Sequence, residues 1–504
     1  MKSLYHFNKS TTLSIGFVIF GVLVRLVQYL NNRSLWFDEA NLALNIVNRS
    51  YLQLLSPLEN NQAAPPGFLW IEKLSIQVFG NTEYALRLFP FLAGIVSLLA
   101  LFIFAERYAS RWAAPIAIAL FSSLPYIVYY GTELKQYSSD IMIALLLSLL
   151  LVPVRYKILN KRQIIVFFVI GGIAIWISHP AIFTLGGLEL AYLITTPKQQ
   201  RKALLFNRIP IYLTWLFSFG CLYFLTISNT LNNDNLVDSW KARYPQSILD
   251  ILWLLDALGR FFYRPLGFIG IIDGVAILAF IVGCVACYRR NRIIFMSLTA
   301  PVITTLIASY LHKYPFRERL ILFLVPFFLI LIAEGVIFLI SQTTQPQTTQ
   351  PKKWVKRFGI FVLVALLIHP ITNSTSIIFK PELKQEFRPI LEYVKSNQQP
   401  GDKIYVYFKG MSHMKYYAPK LGYSQTDYIL GTYELPDEGE ILPAEWQRYQ
   451  QEFEPFRGQK RVWIIFRVDD SEEETLLSYL NQIGRQVDIY KQKGAFVSLY
   501  DLSS

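Results

Sequence analysis

Apolar residues run through this chain in long unbroken stretches, separated by short basic segments. A helix crossing the hydrocarbon core of a bilayer needs about 20 mainly apolar residues. On that measure roughly eleven stretches qualify, centred on residues 12–30, 85–105, 112–130, 139–154, 163–179, 181–195, 209–228, 266–288, 293–311, 319–341 and 355–376. The fifth and sixth are parted by little more than His179-Pro180. The runs are continuous instead of alternating every second residue, which argues against a β-barrel. Residues 40–55 and 66–79 have apolar positions at helical spacing with polar ones between, predicting amphipathic helices along the membrane surface. Pro66 suits the first position of the second of these. The segment 246–264 is similar, with Asp250, Asp256 and Arg260 interrupting a Trp/Phe/Leu face.

Charge sets the expected sidedness. Of the 504 residues 53% are apolar or aromatic and 16% charged, too far from a soluble average for an ordinary cytosolic globule. The net charge of +13 suggests nucleic acid until its distribution is examined. Lys2 and Lys9, Arg107 and Arg111, 155–162, 198–208, Arg289, Arg290 and Arg292, and 352–357 fall between alternate apolar runs. That is the positive-inside pattern, so these segments are expected to be cytoplasmic and no nucleic-acid partner is expected. The opposite segments, 31–84, 131–138, 229–265, 312–318 and everything after about 377, then face outward. The N-terminal lead reads as a retained signal anchor. Cys221, Cys284 and Cys287 lie in or beside apolar runs without a second ligand pair, and read as packing residues.

Composition shifts near residue 377, giving two expected domains: 1–376 in the membrane and 377–504 outside it. The second holds most of the acidic residues, with helices expected at 383–396 and 471–483 and strands at 404–408, 461–468 and 495–502. That describes a small extracytoplasmic α/β domain. Residues 343–351 (TTQPQTTQP) read as a low-complexity linker.

Three outward segments can carry chemistry. Asp38-Glu39 follows Trp36-Phe37 at the outer end of the first span: a helix cap with an interfacial anchor, or a general base held in a partly dry pocket. In the second, a helix starting near Glu133 would put Glu133, Gln136, Tyr137 and Asp140 on one face, beside Lys135. Ionisable groups at the mouth of a helix bundle usually face a cavity. In the third, His312, Lys313, Arg317 and Arg319 break the positive-inside trend, and such an exception needs an anionic partner. A phosphate fits, and so does ion pairing with Glu318 or with carboxylates of other loops. Arg25 and Glu334 fit a substrate path and interhelix pairing or snorkelling equally, His179 reads as a capping or interfacial residue, and Glu189 is left open.

Asp38-Glu39, the 64–68 stretch (APPGF), the 133–140 stretch (ELKQYSSD) and Arg317-Glu318-Arg319 ahead of an apolar span occur in an order that resembles the GT-C superfamily of integral-membrane glycosyltransferases. The branch is similar to that of the protein O-mannosyltransferases and lipid A aminoarabinose transferases. The resemblance spans roughly residues 10–340. It implies a GT-C fold, a polyprenyl-phosphate-linked sugar donor, and inverting transfer at the outer face of a cytoplasmic (bacterial inner) membrane. It further implies Asp38, with Glu39 beside it, at the catalytic centre, and Arg317, Arg319, Lys135 and Lys313 toward the donor phosphate. Glu133, Gln136, Tyr137, Asp140 and His312 would line the substrate pocket. Sugar, acceptor and metal requirement stay open. Loop lengths that differ between the halves speak against the inverted repeats of a transporter, which with a non-catalytic assembly protein is the competing reading.

Overall fold

The computed structural model describes residues 8–231, 240–341, 353–432, 443–467 and 470–503. The 343–351 linker and the start of the N-terminal lead lie outside these. Contacts divide the chain into two compact units: 1–31 with 50–381, and 32–49 with 382–504.

In the first unit all eleven apolar stretches fall on helices. Among the described residues eight helices are long and apolar enough to cross a membrane, at 9–30, 83–108, 137–154, 198–227, 271–290, 292–310, 318–341 and 354–379. The remaining three, Ala113–Ser123, Lys161–Ile177 and Ala181–Thr195, are shorter. The third stretch is cut by Pro125, which holds Leu124 extended (φ −65°, ψ 127°) before a short helix Pro125–Tyr130. Side-chain caps set several starts. Thr82 Oγ1 accepts from the Ala85 N–H, Asn160 and Gln163 form a capping box, and Asn291 Oδ1 accepts from Ile293 and Ile294.

Without a hydrophobic drive between helices in lipid, close approach comes from small residues. Gly283 and Gly335 face each other across the helices Ile271–Arg290 and Val325–Ser341. A Cβ on Gly283 would strike the Leu331 carbonyl, and one on Gly335 the Ala279 carbonyl. Three charged side chains inside the bundle find partners on neighbouring helices. Arg25 donates to the carbonyls of Gly21 and Phe121 at 2.9 and 3.0 Å, and Glu334 accepts from Ser110 N and Arg290 at 2.6 and 2.7 Å. Buried Glu189 takes Arg208 and the Tyr212 hydroxyl, the latter at 2.6 Å. Interhelix pairing therefore accounts for all three. Helix Pro66–Phe79 keeps its expected bounds and its two faces. Phe68, Leu69 and Ile76 are buried, while Leu74, Val78 and Phe79 stay exposed.

The second unit is a five-stranded sheet flanked by helices, in the order β2-β1-β3-β5-β4. The strands are β1 (Lys403–Val406), β2 (Ile429–Leu430), β3 (Val462–Phe466), β4 (Arg485–Gln492) and β5 (Ala495–Asp501). β1 runs parallel to β2 and β3, whereas β5 is antiparallel to β3 and β4. Every residue of β3 is buried, as a central strand covered on both faces requires. β4 was not expected from the sequence: its polar RQVDIYKQ alternates exposed and half-buried positions, as at a sheet edge. The observed helices Phe387–Asn397 and Asp470–Ile483 correspond to the two expected ones.

The helix expected over 40–55 is different in place and setting. It runs Phe37–Asn48, and Arg49 leaves it in extended conformation. Its buried residues, among them Ala40, Leu42, Ala43 and Ile46, pack on the helix Met411–Tyr417. Apolar periodicity shows that one face must be covered. It does not show by what.

Candidate active site

The acidic pair lies in the second unit, in the first turn of helix Phe37–Asn48. A helix start leaves its leading N–H groups without intrahelical acceptors, and here the four N–H groups from Ser34 to Phe37 find side chains. Ser34 N–H lies 3.2 and 3.3 Å from the two Glu386 carboxylate oxygens. Leu35 N–H donates to the Tyr417 hydroxyl at 2.8 Å, and Phe37 N–H to Gln385 Oε1 at 2.9 Å. Trp36 N–H donates to Glu39 Oε2 at 3.2 Å. Glu39, fully buried, thus closes its own capping turn, while Asp38 is half-buried. The Trp36 ring lies 3.9 Å from Lys384 Nζ, and the Phe37 ring 4.3 Å from the Arg467 guanidinium. His413 stacks on Phe387 with centroids 4.8 Å apart. Burial, aided by Arg467, pushes its imidazole down to about 3, so it stays neutral at physiological pH.

The first unit holds the second candidate segment. Residues 131–140 are buried throughout, although 131–136 form turns and not helix. A buried polar turn is unusual, since its backbone must find partners away from water. The helix begins at Tyr137 with Gln136 at its N-cap, so the expected helical face starting at Glu133 does not exist. Packing buries Glu133 instead, with no exposed surface. Lys135 Nζ donates to Gln62 Oε1 at 2.6 Å. Tyr137 packs edge-on against Tyr130 at 5.1 Å, and the Arg319 guanidinium lies 5.9 Å from the Tyr137 ring. Asp140, one turn further on, is buried beside Ser178, and Tyr314 is close enough to feel its charge. Asp140 Oδ1 and Gln136 Oε1 are buried acceptors without a hydrogen-bond partner among the described residues.

The 312–319 segment divides. Arg317 Nη2 bonds Asp256 Oδ2 at 2.5 Å, and Nη1 is buried with no hydrogen-bond partner among the described residues. Burial works to raise the Asp256 carboxyl, but hydrogen bonds from Arg317 and Arg260 hold it below the usual carboxylate range. Glu318 pairs with Arg243 at 3.4 Å, not with its arginine neighbours. The bond from Nη2 makes Asp256, not adjacent Glu318, the partner of Arg317. Residues 61 apart in sequence leave no local sign of such pairing. His312, at φ 55°, turns away to stack on Tyr244 at 5.1 Å, its Nε2 lying 2.8 Å from the Pro245 carbonyl. Lys313 is exposed. Two cations, Arg317 and Arg319, are therefore partly buried, and the other two candidates stay at the surface.

Sequence reasoning also passed over Glu72. It is fully buried on helix Pro66–Phe79, and neither carboxylate oxygen has a hydrogen-bond partner among the described residues. Burial raises it well above the ordinary glutamate value. Its position on the apolar side of the helical repeat was the available signal. Among the described residues no three His, Cys, Asp or Glu side chains are grouped to hold a metal ion.

Many long apolar helices, buried polar turns between them and an appended α/β unit make up a polytopic helical fold with a separate sheet-bearing unit. Residues 63–228, about a third of the chain, match the family described as dolichyl-phosphate-mannose-protein mannosyltransferase. ArnT from Cupriavidus metallidurans, solved bound to undecaprenyl phosphate, superposes with a TM-score of 0.53 at 12% identity, over 96% of this chain and 98% of ArnT. An oligosaccharyltransferase from Archaeoglobus fulgidus, tethered to an acceptor peptide with an NVT sequon, gives 0.54 at 11% identity, over 100% of this chain and 75% of its own. No curated protein sequence matches the chain. The fold is thus similar to that of ArnT and of the archaeal oligosaccharyltransferase, and residues 63–228 resemble the dolichyl-phosphate-mannose-protein mannosyltransferase family.

Proposed function

We propose that this protein transfers a sugar from a polyprenyl-phosphate-linked donor to an acceptor hydroxyl at the outer face of a cytoplasmic membrane. Asp38 is the general base. It takes the acceptor proton as the acceptor oxygen attacks the anomeric carbon, the bond from that carbon to the phosphate oxygen breaks, and the lipid phosphate leaves with the electron pair. Configuration inverts. Arg317 and Arg319 hold the phosphate and stabilise its growing charge, with Lys135 and Lys313 adding to the positive field. A phosphate is a good leaving group, so one carboxylate and a cationic clamp suffice, unlike the carboxylate pair of a glycosidase. Glu39, closing a capping turn, supports the base and does not replace it.

The observation that carries this reading is the buried 131–140 turn, with Arg319 over Tyr137 and buried acceptors on Gln136 and Asp140. Buried acceptors without donors are costly, at about 1–3 kcal/mol each. A hydroxyl-rich ring supplies the missing donors, and the cation beside it suits a phosphate. The undecaprenyl phosphate in the ArnT structure supports a lipid-phosphate ligand of this class.

The test uses purified full-length protein with undecaprenyl-phosphate sugars. Asp38→Asn is expected to abolish transfer while sparing donor binding, and retained transfer would reject the assignment. Labelled solute crossing proteoliposomes without sugar transfer would favour a transporter.

A further inference from the structure

We propose that the C-terminal unit positions the catalytic turn, with Glu386, Tyr417 and Gln385 as positioning residues; this rests on Asp38 being the base. Segment 32–49 is far from 382–504 in sequence, yet it belongs to the same compact unit. Of the four N–H groups from Ser34 to Phe37, three are accepted by side chains some 350 to 380 residues later. Only Trp36 is satisfied from within the turn, by Glu39.

Further ties bracket these bonds. Ser34 Oγ donates to Glu386 Oε2 at 3.0 Å and accepts from the Arg388 N–H at 3.2 Å. Arg388 Nη2 reaches the Asn32 carbonyl at 2.8 Å. Past the acidic pair, Ser412 Oγ donates to Asn41 Oδ1. Asp38 is thus pinned on both sides along the chain. Glu386 and Tyr417 are themselves buried, and Tyr417 sits on the helix that covers the Ala40–Ile46 face. A general base acts only when held within a few tenths of an ångström of its proton, so a backbone fixed by hydrogen bonds at four successive N–H groups, two of them fully buried, is a catalytic requirement. The C-terminal unit therefore sets where the base stands.

The experiment compares Tyr417→Phe, Glu386→Ala and Glu386→Gln with Asp402→Asn in the full-length protein. Asp402 ties Arg461 and Trp463 within the same unit, away from the acidic turn. Hydrogen exchange of peptides covering 32–40 is measured with kcat and KM, using undecaprenyl-phosphate mannose and related undecaprenyl-phosphate sugars as donors. Tyr417→Phe and Glu386→Ala should speed exchange of the 34–37 amides at least tenfold. They should lower kcat about ten- to a hundredfold with donor KM unchanged. Glu386→Gln, which keeps an acceptor, should recover most of both. Asp402→Asn should lower the thermal midpoint while leaving kcat and 32–40 exchange alone. Wild-type kcat and exchange in Tyr417→Phe and Glu386→Ala would overturn the proposal, as would equal kcat losses in Asp402→Asn. If Asp38→Asn stays active, the catalytic reading fails by itself, and exchange still decides whether this unit holds the turn.

Discussion

Asp38 and Glu39 are adjacent carboxylates with separable duties, and three substitutions tell them apart. Glu39 Oε2 accepts the Trp36 N–H at 3.2 Å from a fully buried position. Glu39→Ala removes that acceptor and leaves a donor at the helix start unsatisfied. The expected cost is about 1–3 kcal/mol, from the buried-donor penalty and the usual worth of a cap. Glu39→Gln keeps an oxygen where the capping turn needs one, so it should cost under about 1 kcal/mol. Asp38→Asn keeps the side chain's size and an oxygen acceptor, so its effect should fall on rate: a lost general base lowers turnover about 10²–10⁴-fold. The assay pairs thermal unfolding in detergent with single-turnover transfer. Expected is a stable, inactive Asp38→Asn beside a Glu39→Gln that keeps turnover within a few-fold of wild type. Glu39→Gln as inactive as Asp38→Asn, at unchanged stability, would refute this division and return Glu39 to the chemistry.

Three further outcomes can be measured. Glu72→Gln should remove a pH dependence. A carboxyl raised in the folded state contributes fully below its unfolded pKa of about 4.3, then loses about 1.4 kcal/mol per pH unit until its native value is reached. The thermal midpoint of wild type should therefore fall from pH 4.5 upward more steeply than that of Glu72→Gln, and parallel curves would contradict this. Gly335→Leu should destabilise by about 1–3 kcal/mol or prevent folding, because its Cβ meets the Ala279 carbonyl; a wild-type midpoint would show that the helices can part at little cost. Arg319→Ala should weaken undecaprenyl phosphate binding about ten- to a hundredfold, with Arg319→Lys only partly restoring it, and equal affinity in all three would remove Arg319 from the clamp.

Much of the first unit was legible because span formation is local. Twenty apolar residues in water are unfavourable whatever surrounds them, so length and hydrophobicity alone placed the helices on their stretches. The exception at Pro125 is local too: it lies in Leu124-Pro125, but the apolar run masked it. The polar segments were legible only as candidates. Sequence placed Glu133 and Asp140 on one helix face, whereas the chain turns until Gln136 and buries Glu133 by packing. It offered Arg317 a phosphate, Glu318 or a carboxylate of another loop, and only packing picked Asp256 of the 246–264 segment for the bond from Nη2. In β4 the alternation was present, but a polar edge strand looks like a loop until its partner β5 is known.

The sequence by itself determined that this is a polytopic helical membrane protein with an appended α/β unit, and it narrowed the chemistry to a few carboxylates and cations. Those properties follow from each residue's own transfer free energy and from its nearest neighbours along the chain. Tertiary structure alone decided that helix Phe37–Asn48 belongs with residues 382–504, and that Glu39 caps while Glu386, Tyr417 and Gln385 hold the turn. A donor at a helix start must be satisfied, but nothing in its local sequence says which distant side chain will do so.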